Sequence, residues 1–363
     1  MKIGTVAERQ EATAKMVTGN LGDIIARAKI DAAGNIDRIY KAAEISPVAS
    51  GSQIGLKSSR GIIAVSRHGQ RQIFAMAGIP NQMSGWFLDP KNGEFARFSE
   101  EILPQAWERS VGSGKELLIR CRKQDDSYAV RGVLTDKYGI LDTVTVLEQF
   151  RENLPHSLKN CQVIAKGNHF DRETGAFRGQ VILPETIAGS EADPHHRGLM
   201  LANGEVGDSA CHLSTFLWRL WCKNGAAEMI NGERSRITHK GDPVRGLANY
   251  FNKILNVALD NKPSEDFKAY WNTRDTQLDA KRIQEILPQL ASTLGLSQRL
   301  AQRVVDEKLP TYLAETGYTL YSVVNSLTEF ARDLESQEAA DLVIMAAHKL
   351  VSRPALVRAF AVN

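Results

Sequence analysis

The segment from Arg197 to Gly225, RGLMLANGEVGDSACHLSTFLWRLWCKNG, limits what this chain can fold into more than any other stretch. Two apolar runs flank a polar, glycine-rich turn, which is the pattern of a β-hairpin with one buried face. Trp218 and Trp221 then alternate with Arg219 and Lys223, so the hairpin has an aromatic and cationic exit. No catalytic motif of comparable definition occurs elsewhere, and the sequence is more informative about architecture than about chemistry.

Other segments can be read around that hairpin. Ile24, Ile25, Ala28, Ile36, Ile39 and Tyr40 recur at roughly helical steps, interrupted at Gly34, which predicts a helical N-terminal arm over residues 1–48. Pro47 to Arg60 reads as a Gly/Ser linker. From Gly61 the pattern becomes strand-like: GIIAVS and RQIFAMA form a first predicted hairpin across His68-Gly69. ELLIRC (116–121) and YAVRGVL (128–134) form a second around the polar turn Lys123 to Ser127. Between the two lies a Pro/Gly-punctuated loop holding Trp86 and Trp107.

An amphipathic helix is predicted over 143–153, with Val146, Leu147 and Phe150 on one face and Pro155 as its stop. CQVIAK and FRGQVILP, on either side of NHFDRETG, read as strands. Beyond Pro243 the spacing is helical in LANYFNKILNVAL, IQEILPQLASTL, SQRLAQRVVDEKL, YTLYSVVNSLTEFARDLE and AADLVIMAAHKL, with Ser264 and Ser297 as N-caps. The expected fold class is α+β: an antiparallel hairpin-rich sheet with a packed helix over 61–242, followed by a helical C-terminal subdomain over 243–363. No internal repeat is present.

Composition narrows the function only slightly. At 363 residues, with 43% hydrophobic and 24% charged residues, the chain is long enough for a substantial core. A net charge of +3 and a pI near 8.6 are compatible with nucleic-acid contact but fall short of the pI above about 9 that marks a strong footprint. Cys121, Cys161, Cys211 and Cys222 form no CxxC pair, and the N-terminus lacks the apolar core of a signal peptide. Reduced thiols and a cytoplasmic location are expected. No run of about 18 apolar residues predicts a membrane span.

Two glycine-rich segments fail as phosphate loops, because cradling phosphates needs the spacing G-x-x-x-x-G-K-[ST]. GSQIGLKS (51–58) has one residue too few between its glycines and Leu56 before Lys57. GSGKE (112–116) lacks the upstream glycine and the hydroxyl. No HExxH, GxSxG or GxGxxG occurs either. His195-His196, Cys211-His212 and Cys222 lack paired zinc-ligand spacing, and strand alternation would point Cys211 and His212 to opposite faces. Asp171, Glu173, Asp193, Glu205 and Asp208 fall in predicted turns, where they could gather a hard cation, although acidic residues in turns are commonplace.

The stronger pattern is cationic and aromatic. Arg120, Arg122 and Lys123 cluster at a strand end, Arg131 and Lys137 lie on the next strand and its exit, and Trp218, Arg219, Trp221 and Lys223 close the hairpin. Arg234, Arg236, His239, Lys240 and Arg245 follow in a polar loop. Phosphates need such cations and unpaired bases stack on rings, so a sheet edge carrying both suits single-stranded nucleic acid.

RGVLTDKYGILDTVTVLEQF (131–150), LMLANGEVGDSACHLSTFLWRLWCKNG (199–225) and SVVNSLTEFARDL (322–334) resemble the signatures of a phage- and plasmid-borne family, domain of unknown function 932. Cys222-Lys223-Asn224-Gly225 is the most specific part, while Thr135, Leu141 and Asn203-Gly204 depart mildly from the family pattern. The resemblance spans about residues 115–335 and implies a mobile-element context near recombination functions, with no catalytic residues to carry over. The order of hairpins and helix is also similar to that of phage single-strand annealing proteins, which assemble into rings or filaments. The resulting expectation is a cytoplasmic, homo-oligomeric protein that binds and anneals single-stranded DNA without ATP, cofactor or membrane. The alternatives are a metal-dependent enzyme acting on nucleic acid and an oligomeric assembly protein.

Overall fold

A computed structural model of the chain describes residues 17–50, 53–80, 83, 87, 98–112, 114–124, 127–164, 171, 174–190, 193–219, 227–228, 235–259, 265–334 and 337–362. They form two sheets, each with helices against one face, and a C-terminal helical bundle, an α+β arrangement. The seven-stranded sheet runs β1 (Val17–Asn20), β8 (Gln162–Ile164), β9 (Phe177–Ser190), β10 (Asp193–Asn203), β11 (Cys211–Arg219) and β12 (Ala227–Glu228), with β13 (Ser235–Ile237) also paired to β11. The six-stranded sheet runs β2 (Ile36–Lys41), β6 (Glu116–Gln124), β7 (Ser127–Thr135), β5 (Gly61–Val65), β4 (Gln53–Ser58) and β3 (Ile45–Ser50). Every pairing is antiparallel except β5 with β7.

Several predicted elements are present. Of the Arg197–Gly225 pattern, the described residues to Arg219 are the β10–β11 hairpin, in register from His195 opposite Arg219 to Ala202 opposite His212. ELLIRC and YAVRGVL are β6 and β7. The helix α4 (Thr143–Asn153) buries Val146, Leu147 and Phe150, as its spacing requires. Ser297 caps its helix by accepting from the Leu300 N–H, whereas Ser264 lies outside the described residues.

The N-terminal third differs from expectation. Instead of one helical arm, β1, α1 (Leu21–Ala32), β2 and β3 follow one another. Leu21, Ile24, Ile25 and Ala28 line the buried face of α1, but Gly34, at φ 84°, ends the helical course, and Ile36 to Lys41 alternate in burial as a strand does. The supposed linker is the β3–β4 hairpin, in which Gly55 is required because a Cβ there would lie 2.7 Å from the Ile62 side chain. RQIFAMA is not a strand but part of α2 (Arg67–Met76), whose Ser66 cap accepts from the Gly69 N–H and whose buried Gly69, Gln70, Ile73 and Phe74 follow a helical period. Trp107 belongs to α3 (Leu103–Val111) and is buried, while Trp86 lies outside the described residues.

Three hydrophobic clusters organise these elements. Helices α1, α4 and α5 (Leu247–Leu259) pack with the seven-stranded sheet, α2 and α3 with the six-stranded one. The third cluster joins α6 (Glu265–Asn272), α7 (Ile286–Leu294), α8 (Gln298–Glu307), α9 (Leu309–Thr316), α10 (Leu320–Asp333) and α11 (Gln337–Ser352). The helical region therefore does not separate at Pro243: α5 gives Phe251, Ile254 and Leu255 to the sheet core, with Phe251 meeting Phe150 edge-on at 5.7 Å between ring centroids. Among the described residues no helix is long and apolar enough to cross a membrane. Phe251→Ala is expected to destabilise the protein by about 3–5 kcal/mol, read from the urea-unfolding midpoint.

Candidate functional site

Three of the residues singled out for chemistry, Arg120, Arg131 and Glu205, meet where the β10–β11 turn rests on the six-stranded sheet. Arg120 of β6 lies opposite Asp37 of β2, so cross-strand pairing alone puts a guanidinium beside a carboxylate. Its Nε and Nη2 donate to Asp37 at 3.0 and 3.1 Å, Nη2 also donates to Asp142 at 2.5 Å, and Nη1 donates to the Glu205 carbonyl at 2.6 Å. Arg131, on β7, pairs with the Glu205 carboxylate. The other oxygen of that carboxylate accepts the Thr143 N–H at 2.8 Å, so Glu205 satisfies a first-turn donor of α4 while the Asp142 side chain turns to Arg120. Asn203 donates to the Leu141 carbonyl and to the Thr143 hydroxyl.

This network decides the fate of two predicted phosphate contacts. Arg120 is 1% exposed and Arg131 3%, each committed to carboxylates, so neither is on a surface that DNA could reach. Burial by itself lowers the pKa of Arg120, but Asp142 and Asp37 outweigh it and hold the guanidinium charged well above its ordinary range. The warning lay in the sequence: both arginines sit inside apolar strand runs, LLIRC and YAVRGVL, where a charge has to be buried and paired. Asp37 and Asp142, which complete the pairing, carry no sequence signal because their proximity arises only from register and from a helix start.

Arg122 is half-buried, 3.8 Å from Asp31, and with Asn35, Asp171, Gly175, Arg131 and Glu205 it lines a cleft of about 320 Å³ including space open to solvent. Lys123 is exposed opposite Tyr128, itself 37% exposed, at the far end of the β6–β7 hairpin. Arg219 and Trp218 lie on β11 opposite His195 and His196. Trp221, Lys223 and Arg234 lie outside the described residues, as does the rest of the Cys222–Gly225 element.

Lys137 and Lys240 come to one rim, and Arg236 lies on β13 opposite His212, shortly before Lys240 in the chain. The turn after β7 meets the loop after β13 through the Tyr138–Lys240 bridge and the Gly139 N–H donating to the His239 carbonyl at 3.1 Å. Tyr138 and His239 stack at 5.0 Å between centroids and 10° between planes. Gly139 permits this approach, since a Cβ there would lie 2.6 Å from the Gly241 carbonyl oxygen and from Pro243. Lys137, Arg236, Lys240 and Arg245 are exposed, as are Asp136 and Asp242 in the same two segments. Lys123 lies apart: the seven-residue step from Tyr128 to Thr135 along β7 is roughly 24 Å.

Among the described residues no group of three or more His, Cys, Asp and Glu side chains is placed to hold a metal ion. Burial pushes the Cys211 thiol up to about 12, so it is protonated at neutral pH. The Glu205 carboxylate is occupied, and Asp171 accepts the Thr174 hydroxyl at 2.9 Å. In comparisons with protein-family models, curated proteins and solved structures, nothing matches the chain.

Two outcomes follow. Glu205→Gln leaves Arg131 buried without a counter-charge, and stability is expected to fall by about 3–5 kcal/mol in chemical denaturation. Burial lowers the pKa of His239, and the charge of Arg120 adds to that, against the Gly139 backbone and the charge of Asp142, which raise it. The unfolded chain therefore binds the extra proton first, and stability present at pH 7 declines as the pH falls below the ordinary histidine value of 6.5. His239→Phe, which keeps a ring against Tyr138, should flatten the thermal-stability profile between about pH 7 and 5 relative to the parent. The contribution of His348, whose pKa burial also lowers, is common to both proteins.

Proposed function

We propose that this protein binds single-stranded DNA, and anneals it in mobile-element recombination without nucleotide hydrolysis, using the rim of Lys137, Arg236 and Lys240. The observation that carries the reading is the meeting of two sequence-distant basic segments at one exposed edge, held by the Tyr138–His239 stack and the Tyr138–Lys240 bridge. Cations held on a rigid edge contact successive phosphates and release counterions, which gives affinity without sequence preference. Lys123 beside the exposed Tyr128 ring supplies a second contact, a cation next to a face on which a base can stack. Arg120 and Arg131 have no part in it, which makes the surface smaller than the sequence implied.

The test is fluorescence anisotropy with a labelled oligonucleotide across a salt series. Binding is expected to weaken with salt and to be indifferent to base sequence. Lys137→Ala/Arg236→Ala/Lys240→Ala is expected to reduce the slope of log K against log salt by about 2, at roughly 0.7 per single-strand phosphate contact. Absence of binding at low ionic strength, or an unchanged slope in the triple variant, overturns the reading.

A further inference from the structure

Strand β2 is an edge of the six-stranded sheet, and among the described residues no strand pairs with its outer side. The opposite edge, β3, is protected by Pro47, whereas β2 (IDRIYK) has no proline and keeps an even register with β6 over its whole length. Its central residue, Ile39, is 64% exposed. An apolar side chain at the middle of a regular, unpaired edge strand is a template for pairing with another chain.

The direction of the backbone groups is set by the existing ladder. Ala42 continues the register and donates its N–H to the Lys115 carbonyl at 2.8 Å, so the even-numbered residues of β2 point their N–H and C=O groups toward β6. Those of Asp37, Ile39 and Lys41 turn outward, and the Lys41 N–H is met by Glu44 at 3.1 Å. An antiparallel pair with a two-fold axis at Ile39 uses that set: Ile39 exchanges two hydrogen bonds with its copy, and each Asp37 N–H reaches the Lys41 carbonyl of the other chain.

The side chains agree with the same register. Asp37 falls opposite Lys41 of the second copy, twice by symmetry, and Arg38 falls opposite Tyr40. The Asp37 side chain is 27% exposed while bound to Arg120, so an incoming ammonium can reach it. Shifting the axis by two residues to Asp37 sets carboxylate against carboxylate, so charge selects one alignment.

We infer that the chain forms a two-fold dimer by antiparallel β2–β2 pairing centred on Ile39, joining two six-stranded sheets into one. The inference is independent of DNA binding. A six-residue strand pair is small beside a standard interface, so the dimer is concentration-dependent rather than obligate.

Sedimentation equilibrium and oxidative cross-linking of the full chain test it. The parent protein is expected to dimerise with rising concentration, and Ile39→Lys, at an exposed position, to raise the dissociation constant by about tenfold or more through like charges meeting on the axis. Ile39→Cys places two Cα atoms about 5.5 Å apart across the axis, within disulfide range, and is expected to cross-link rapidly. Lys41→Cys, whose copies lie about 14 Å or more apart, is not. A parent protein that stays monomeric, or cysteines at 39 and 41 that cross-link equally, overturns the proposal. A ring or filament in which Ile39→Lys has no effect overturns it as well.

Discussion

The joint between the two sheets depends on Arg120. Its guanidinium gathers Asp37 from the neighbouring strand, Asp142 from the start of α4 and the Glu205 carbonyl from the β10–β11 turn. A buried cation is tolerable only when its donors are satisfied by charge and geometry together, so each of these segments has to arrive in place for the others to be stable. Glu205 extends the constraint: one carboxylate oxygen neutralises Arg131 while the other accepts the Thr143 N–H. The turn of the dominant hairpin is thereby attached to the second sheet and to a helix at once.

That attachment also shapes the outer surface. Holding the 204–209 turn against β7 and α2, where Gln72 donates to the Val206 carbonyl at 2.6 Å and accepts from the Val133 N–H at 2.8 Å, fixes where the chain leaves β7. Lys137 and Tyr138 emerge there and meet Lys240 and His239. The cations nearest the centre of the fold serve structure, and those at its margin are left for solvent or a ligand. This division follows from desolvation: a charge in the interior needs a fixed partner, while one at the rim keeps its water until something displaces it.

Local pattern was legible where one face of an element is buried and its period is long enough to register. Strands β6, β7, β10 and β11, helix α4 and the C-terminal helices carry that signal. It failed where neighbouring elements are short and of mixed kind. Ile24 to Tyr40 spans a helix and a strand whose apolar residues happen to continue at helical steps, and Ile73 and Phe74 read as strand residues although their burial is helical. The 47–60 region looked like a linker because serine and glycine are abundant in it, yet Ile54 and Leu56 anchor β4 in a core.

Sequence alone determined the α+β class, the central hairpin, the helical C-terminal region and the presence of cations in excess near strand ends, because these depend on periodicity and composition within short windows. Tertiary structure decided how the buried cations are paired. The apolar run around Arg120 marks it for burial, but only the strand register and the start of α4 bring Asp37 and Asp142 to it, and only the path of the 204–209 turn brings the Glu205 carbonyl. The edge of β2 was settled in the same way, since its place in the sheet depends on which strands, among the described residues, pair beside it.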